Sequence, residues 1–224
     1  MEINIHSGIF AIIPGFKIGA IVYRGIEIGE SPQMLKGRFQ LFQESIYFDL
    51  LDKDLYDFEG LKEWRAIFKA AGTDAARYRP SAEALFRRIK KQNYLSPIHS
   101  AIDLNNFFSL QYEVPIGIYD LDALKGNVDI KIGENGEEYE GINGRINSMH
   151  HMIHSADKAG PFGSPFVDSK RTMVNETVHN ALQLVYHRPS TEIANAEKMT
   201  KSLMDMFLQI HGGEGEYCVV GSDS

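Results

Sequence analysis

The chain has 224 residues, 43% of them hydrophobic and 24% charged, which is the make-up of an ordinary globular protein with enough sequence for one substantial core. A formal net charge of −7 excludes wrapping a long stretch of nucleic acid on a generally basic surface, and no apolar run approaches the ~18 residues of a membrane span. Cys218 is the sole cysteine, so an intrachain disulfide is excluded, and the acidic Met1-Glu2 start with an apolar run halted at Pro14 gives no export signal; a cytoplasmic protein is expected.

In chain order, "HSGIFAIIPGFKIGAIVYRG" is rich in β-branched and aromatic residues and is broken by Pro14-Gly15, which predicts two short strands. From Ser31 to Gly72 the texture turns helical. Leu35, Phe39 and Phe42, then Leu61, Trp64, Ile67 and Phe68, recur at helical spacing and read as core packing.

"RPSAEALFRRIKKQ" is the clearest helix, with Ser81 expected as N-cap and Leu85, Phe86 and Ile89 as the buried stripe. Between residues 75 and 92, Arg77, Arg79, Arg87, Arg88, Lys90 and Lys91 face one acid, Glu83. A local charge of +5 marks the place for a small nucleic-acid contact; the alternative is a solvated face whose cations suit the helix C-terminus.

"PIHSAIDLNNFFSLQY" mixes helical spacing with a polar trio, Asp103, Asn105 and Asn106. Next, "VPIGIYDLDALKG" sets Asp120 and Asp122 behind a Pro115-x-Gly117 turn. The following Val128, Ile130 and Ile132 alternate with polar residues up to Glu134-Asn135-Gly136, which predicts a hairpin. "TVHNALQLVYHRP" suits a buried helix or strand, residues 193–210 a terminal helix, and the tail "HGGEGEYCVVGSDS" has loop composition before its last few residues and no assigned role.

His150 and His154 would make a zinc pair on a helix, one turn apart. The flanking glycines argue for a strand, where residues four apart are separated by ~13 Å, too far to share an ion. No metal and no cofactor is therefore expected. A nucleophile elbow and a Gly-rich phosphate loop are both missing from the sequence. Two polar clusters remain: the 119–122 corner, and "GPFGSPFVDSKRT", where Gly163 precedes Asp168, Arg171 and Thr172. Arg171 could pair with Asp120 or Asp122 across the fold, and both clusters could equally be well-made turns.

The order of features in "LSPIHSAIDLNNFFSLQYEVPIGIYDLDALKGNVDIKIGENGEEYEGING", with "GTDAARYRPSAEALFRR" before it and "GSPFVDSKRT" after, resembles the tRNA-binding and editing domain of the phenylalanyl-tRNA synthetase β subunit, in a free-standing version. The resemblance covers about residues 72–189. It implies an α+β fold, a layered α/β domain with sheets of unusual topology. The expected organisation is a β-then-helical extension over 1–71, the editing-like domain over 72–190, and a helix and tail over 191–224.

In that family the domain hydrolyses the ester of tRNA wrongly charged with tyrosine. Asp103 and Asn106 match its Asp-x-x-Asn segment, and Tyr119, Asp120 and Asp122 its Tyr/Phe-Asp-x-Asp corner. Gly117 stands where the synthetase form usually has a pocket histidine, and an acid of that pocket has no clear counterpart. Binding of tRNA or aminoacyl-tRNA therefore carries over better than hydrolysis. No aminoacylating domain is expected, so the chain is not expected to be a ligase by itself. The expectation is a trans-acting aminoacyl-tRNA hydrolase or, alternatively, a non-catalytic module that binds tRNA or an amino-acid-like ligand. The pocket would draw on Gly117, Gly163, Asp168, Arg171 and Thr172. Asp120 and Asp122 would either face it or hold the turn while Tyr119 faces it.

Overall fold

The computed structural model describes residues 1–74 and 77–221 of the chain, so Ala75 and Ala76 of the family-like segment and the last three residues lie outside it. The fold is α+β. One four-stranded sheet runs β1 (Ile3–Ile5), β4 (Val128–Ile132), β7 (Ile153–Asp157), β8 (Gly160–Gly163), with β1 parallel to β4 and the other pairs antiparallel. A second is wholly antiparallel: β10 (Glu214–Gly221), β2 (Lys17–Arg24), β9 (Asn180–Tyr186), β3 (Ile116–Asp120). A small ribbon pairs β5 (Glu138–Glu140) with β6 (Ile146–Ser148). Strands from residues 1–71, 72–190 and 191–224 thus share the second sheet.

Strands β2, β9 and β3 of that sheet are buried on both faces, and the edge strand β10 is largely exposed. Side chains alternate across a strand, so Tyr23 and Gln183 point one way and Tyr186 the other. Tyr23 stacks on Phe207 of α6 (Ile193–His211) and Gln183 donates to Asn105 of α5 (Ser100–Tyr112), while the Tyr186 hydroxyl reaches Ser155 of the first sheet. The layers are therefore helices, sheet, sheet. Three more helices, α2 (Gln33–Asp52), α3 (Glu59–Ala71) and α4 (Ser81–Lys90), complete the helical side with a core of their own around Phe39, Leu61 and Phe86. Among the described residues no helix is long and apolar enough to cross a membrane.

Several local expectations are corrected. Residues 7–12 form a short helix, α1 (Ser7–Ile12), instead of a strand: Ile9 and Ile13, four apart, are the residues buried there, a helical and not an alternating pattern. The N-cap of α4 is Pro80, without a side-chain cap; Ser81 opens the helix and spends its N–H on the Pro165 carbonyl. The turn at Gly136 forms with positive φ, yet β4 does not hairpin with β5, because β1 and β7 occupy both its edges. The tail is a strand, an edge partner matched to β2 along eight residues. Edge strands contact the core on one side only, which is why its sequence reads as loop.

Candidate functional site

A cleft of about 450 Å³ opens between α4, α5 and residues 164–168. Its walls are apolar: Leu85, Ile98, Ile102, Ile116, Ile142 and Phe166. Polar groups are interspersed with them, several of them serines, and the telling ones are Asp168, Asn106 and Arg88.

Asp168 reaches this place through a short polar loop pinned at both ends. The Ser164 hydroxyl donates to the Val167 carbonyl, and the Ser169 N–H donates to the Phe162 carbonyl. The Tyr119 hydroxyl, from β3, donates to Asp168 Oδ1 at 2.8 Å, and the backbone N–H groups of Ile118 and Ser164 also donate to this carboxyl. Burial pushes the carboxyl up strongly, the three donors pull it part of the way back, and it comes to rest at about 7. No Lys or Arg pairs with it among the described residues.

Tyr119 fits under the cleft because two glycines make room. A Cβ on Gly117 would lie 2.0 Å from its hydroxyl oxygen, and one on Gly163 would lie 2.3 Å from it. The ring is fully buried, packs edge-on to Phe162 at 4.8 Å, and its hydroxyl is also bonded to Tyr186. Burial, first, and the neighbouring Asp168 charge raise the phenol well above its usual range.

The other expected site residues lie elsewhere. Asp103 is buried, but it accepts from the Ser31 hydroxyl at 2.5 Å and the Ile98 N–H at 2.9 Å, holding one cleft wall from behind. Asp120 caps a short turn by accepting from the Asp122 N–H at 3.0 Å, and Asp122 accepts from Asn180 on the surface. Arg171 pairs with neither of them. It forms a two-point ion pair with Asp157, at 2.9 and 3.1 Å, and reaches the Ala123 and Gly160 carbonyls. Thr172 is buried against Ser169 and the Phe162 carbonyl. The two clusters do meet, through the Tyr119–Asp168 bond and a bridge between Tyr119 and Met173, but the space between them is packed and the cleft lies beyond Asp168.

The basic set divides in the same way. Glu83 is wholly buried and takes Arg65 and Arg87, the latter at 2.7 Å; Lys90 lies 3.7 Å from Asp54; Arg77 sits over the Tyr78 ring. Arg79, Arg88 and Lys91 are exposed, and Arg88 alone of the six lines the cleft. Asn106, half-buried in the wall, makes no side-chain hydrogen bond among the described residues. His150 and His154 are separated, the first in a loop with its ring against His151 and the second buried in β7 beside Glu137.

Sequence reasoning missed the cleft walls. Ile98 and Ile142 are each more than half exposed yet line the mouth, and both sit in polar, turn-rich sequence where an isolated isoleucine gives no periodic signal.

Comparison with known proteins adds the following. Residues 63–206 match the family model described as the B3/4 domain. The chain is 34% identical over 213 residues to the uncharacterized protein YhzB of Bacillus subtilis (strain 168), covering 95% of this chain and 96% of that one. It is 26% identical over 112 residues to the phenylalanine–tRNA ligase beta subunit of Fusobacterium nucleatum subsp. nucleatum, a match that spans 49% of this chain and only 14% of the subunit. It is also similar to a crystal structure of an N-terminal fragment of the phenylalanyl-tRNA synthetase beta subunit from Pyrococcus horikoshii. That likeness has TM-score 0.47 and 13% identity, and it covers 98% of this chain and 54% of the fragment.

Proposed function

Because this chain belongs to the B3/4 domain family, we propose that it receives the aminoacyl end of a tRNA in the α4–α5 cleft and hydrolyses the ester in trans, in the cytoplasm. The observation that supports this reading is the cleft itself, where one half-buried carboxyl, one unspent amide and one basic-helix arginine share a space with apolar walls. An aminoacyl ester is already activated, so a site needs little beyond a positioned water and donors for the developing oxyanion. Asp168, resting at about 7, is matched to accept a proton from that water near neutral pH. Asn106 Nδ2 would donate to the carbonyl oxygen, and Arg88, at the wall, would hold phosphate with Lys91 and Arg79 beyond it. The apolar walls would take the amino-acid side chain.

The test is incubation of the protein with tRNAs charged with several amino acids, each followed by loss of the labelled ester. Release above the buffer rate for at least one of them, reduced about a hundredfold or more in Asp168→Asn, is the expected result. Release equal to buffer for all would end the reading.

A second reading, a non-catalytic module for tRNA or an amino-acid-like ligand, is favoured by one observation: the Asp168 carboxyl already accepts three hydrogen bonds. It is distinguished by salt-sensitive binding without turnover. Arg88→Ala with Lys91→Ala is the substitution of choice, since Arg87 is needed to neutralise buried Glu83. If that pair leaves tRNA binding unchanged, the basic helix is only a solvated face.

A further inference from the structure

Helix α2 buries Leu35, Phe39, Ile46 and Leu50 against α4 and α5, yet its opposite face carries Met34, Leu41, Phe48 and Leu51, which are 67%, 67%, 64% and 60% exposed. Side chains of this size are normally exposed singly. Here Met34, Leu41 and Phe48 form a stripe, with Leu51 on its flank about 80° round the helix from Leu41. At 100° and 1.5 Å per residue, Met34 and Phe48 each lie within about 20° of Leu41 and about 10.5 Å above and below it. A row spaced by sevens on a 20-residue helix is the pattern of a helix that packs on another helix.

We propose that this stripe is a dimer interface on which α2 packs antiparallel to α2 of a second copy, with the two-fold axis passing beside Leu41. An isologous contact requires a surface that is its own complement, and this stripe is one. Turning the helix end for end places Leu41 on its counterpart and Met34 against the partner's Phe48. Gly37 sits in the row with nothing within 4 Å of where its Cβ would be, so a neighbouring helix can approach closely.

The flanking charges agree. Arg38 lies about 60° to one side of Leu41, and Ser45, Asp49 and Asp52 lie about 40°, 80° and 20° to the same side in the other half of the helix. The two-fold keeps sides and exchanges halves, so each Arg38 meets the acidic flank of the other copy. Glu44, on the opposite side, comes across from Gly37, Gln33 and Gln40, and no like charges are opposed.

The area is sufficient. Four side chains this exposed present on the order of 500 Å² per copy, so a two-copy contact reaches about 1,000 Å², the lower bound of a specific interface. The stripe faces away from α4 and the cleft, so dimerisation leaves the cleft open, and the inference stands independently of what binds there.

Sedimentation equilibrium of the full chain, from low to high micromolar concentration, should give twice the monomer mass at the upper end. Leu41→Glu should return the monomer mass with an unchanged circular-dichroism spectrum and melting temperature, because the residue it replaces is exposed. In a Cys218→Ser background, Leu41→Cys should oxidise to a disulfide-linked dimer much faster than Lys201→Cys on exposed α6. A wild type that is monomeric throughout would leave the stripe to a partner of another sequence and overturn the proposal. So would a dimer indifferent to Leu41→Glu, or crosslinking at position 41 no faster than at 201.

Discussion

Asp157 and Asp168 stand eleven residues apart on either side of β8, and they are opposites. Burial pushes both carboxyls up. At Asp157 the Arg171 guanidinium and the N–H groups of Lys125 and Ala159 outweigh burial and hold the carboxyl below its usual range. At Asp168 the donors are a phenol and two N–H groups with no cation among them, burial wins, and the carboxyl rests at about 7. A guanidinium makes an acid structural; its absence leaves an acid able to exchange a proton near neutral pH. Arg171, only three residues beyond Asp168, is spent on the other acid, and that choice gives the cleft its character.

The sharpest way to break the contrast is to measure stability against pH. An unfolded aspartate titrates near 4 and Asp168 at about 7, so between those values the folded chain holds a proton that the unfolded chain has shed. Stability should therefore fall as pH rises from about 4 to about 7, by at most about 4 kcal/mol from this group, and be flat on either side of that window. Asp168→Asn should remove this component. Urea midpoints of wild type and Asp168→Asn that run parallel across the window would show that Asp168 titrates ordinarily.

A smaller effect tests the seat of that acid. Gly117→Ala and Gly163→Ala each drive a methyl into the Tyr119 ring and should cost about 1–3 kcal/mol, the usual penalty of overpacking a filled core. Tyr119→Phe removes a donor to the carboxylate, so its cost should be greater at pH 8, where Asp168 is ionised, than at pH 5, where it is protonated. An equal cost at both values would mean that the phenol does not serve the charged form.

Arg171→Met tests the other acid and carries the opposite pH sign. A depressed carboxyl contributes stability above its unfolded pKa and loses it as pH falls through the folded one. The variant should be about 1–2 kcal/mol less stable than wild type near neutrality, a figure kept low because Arg171 is partly exposed, and the gap should close below pH ~4. A gap that persists in acid would assign the effect to the carbonyl contacts of Arg171 instead.

Much of this was legible in the sequence, and the parts that were not share a physical reason. Helices α2 to α6 follow from apolar spacing near 3.6, and β9 reads equally as helix or strand because a segment buried on both faces has no alternation to read. Of the family-matched candidates, Asn106 lines the cleft, and so does Asp168 from the second polar cluster. What sequence could not supply was partnership. Asp168 depends on Tyr119, 49 residues away, and Arg171 turns to Asp157, which no spacing rule singles out over Asp120 or Asp122. The acids with the most suggestive local pattern proved to be the surface ones.

Those acids give the smallest prediction, and it bounds the comparison from below. Asp120 accepts a backbone N–H within a single turn, and Asp122 accepts from Asn180 at 3.0 Å in solvent. Removing a cap of this kind costs about 0.5–2 kcal/mol, and an exposed side-chain contact less, so Asp120→Ala should fall near 1 kcal/mol and Asp122→Ala below it. Neither touches the cleft, so ester release or ligand binding by the folded variants should match wild type. Loss of that activity in Asp122→Ala, with the melting temperature kept, would move the functional centre from the Asp168 cleft to the corner.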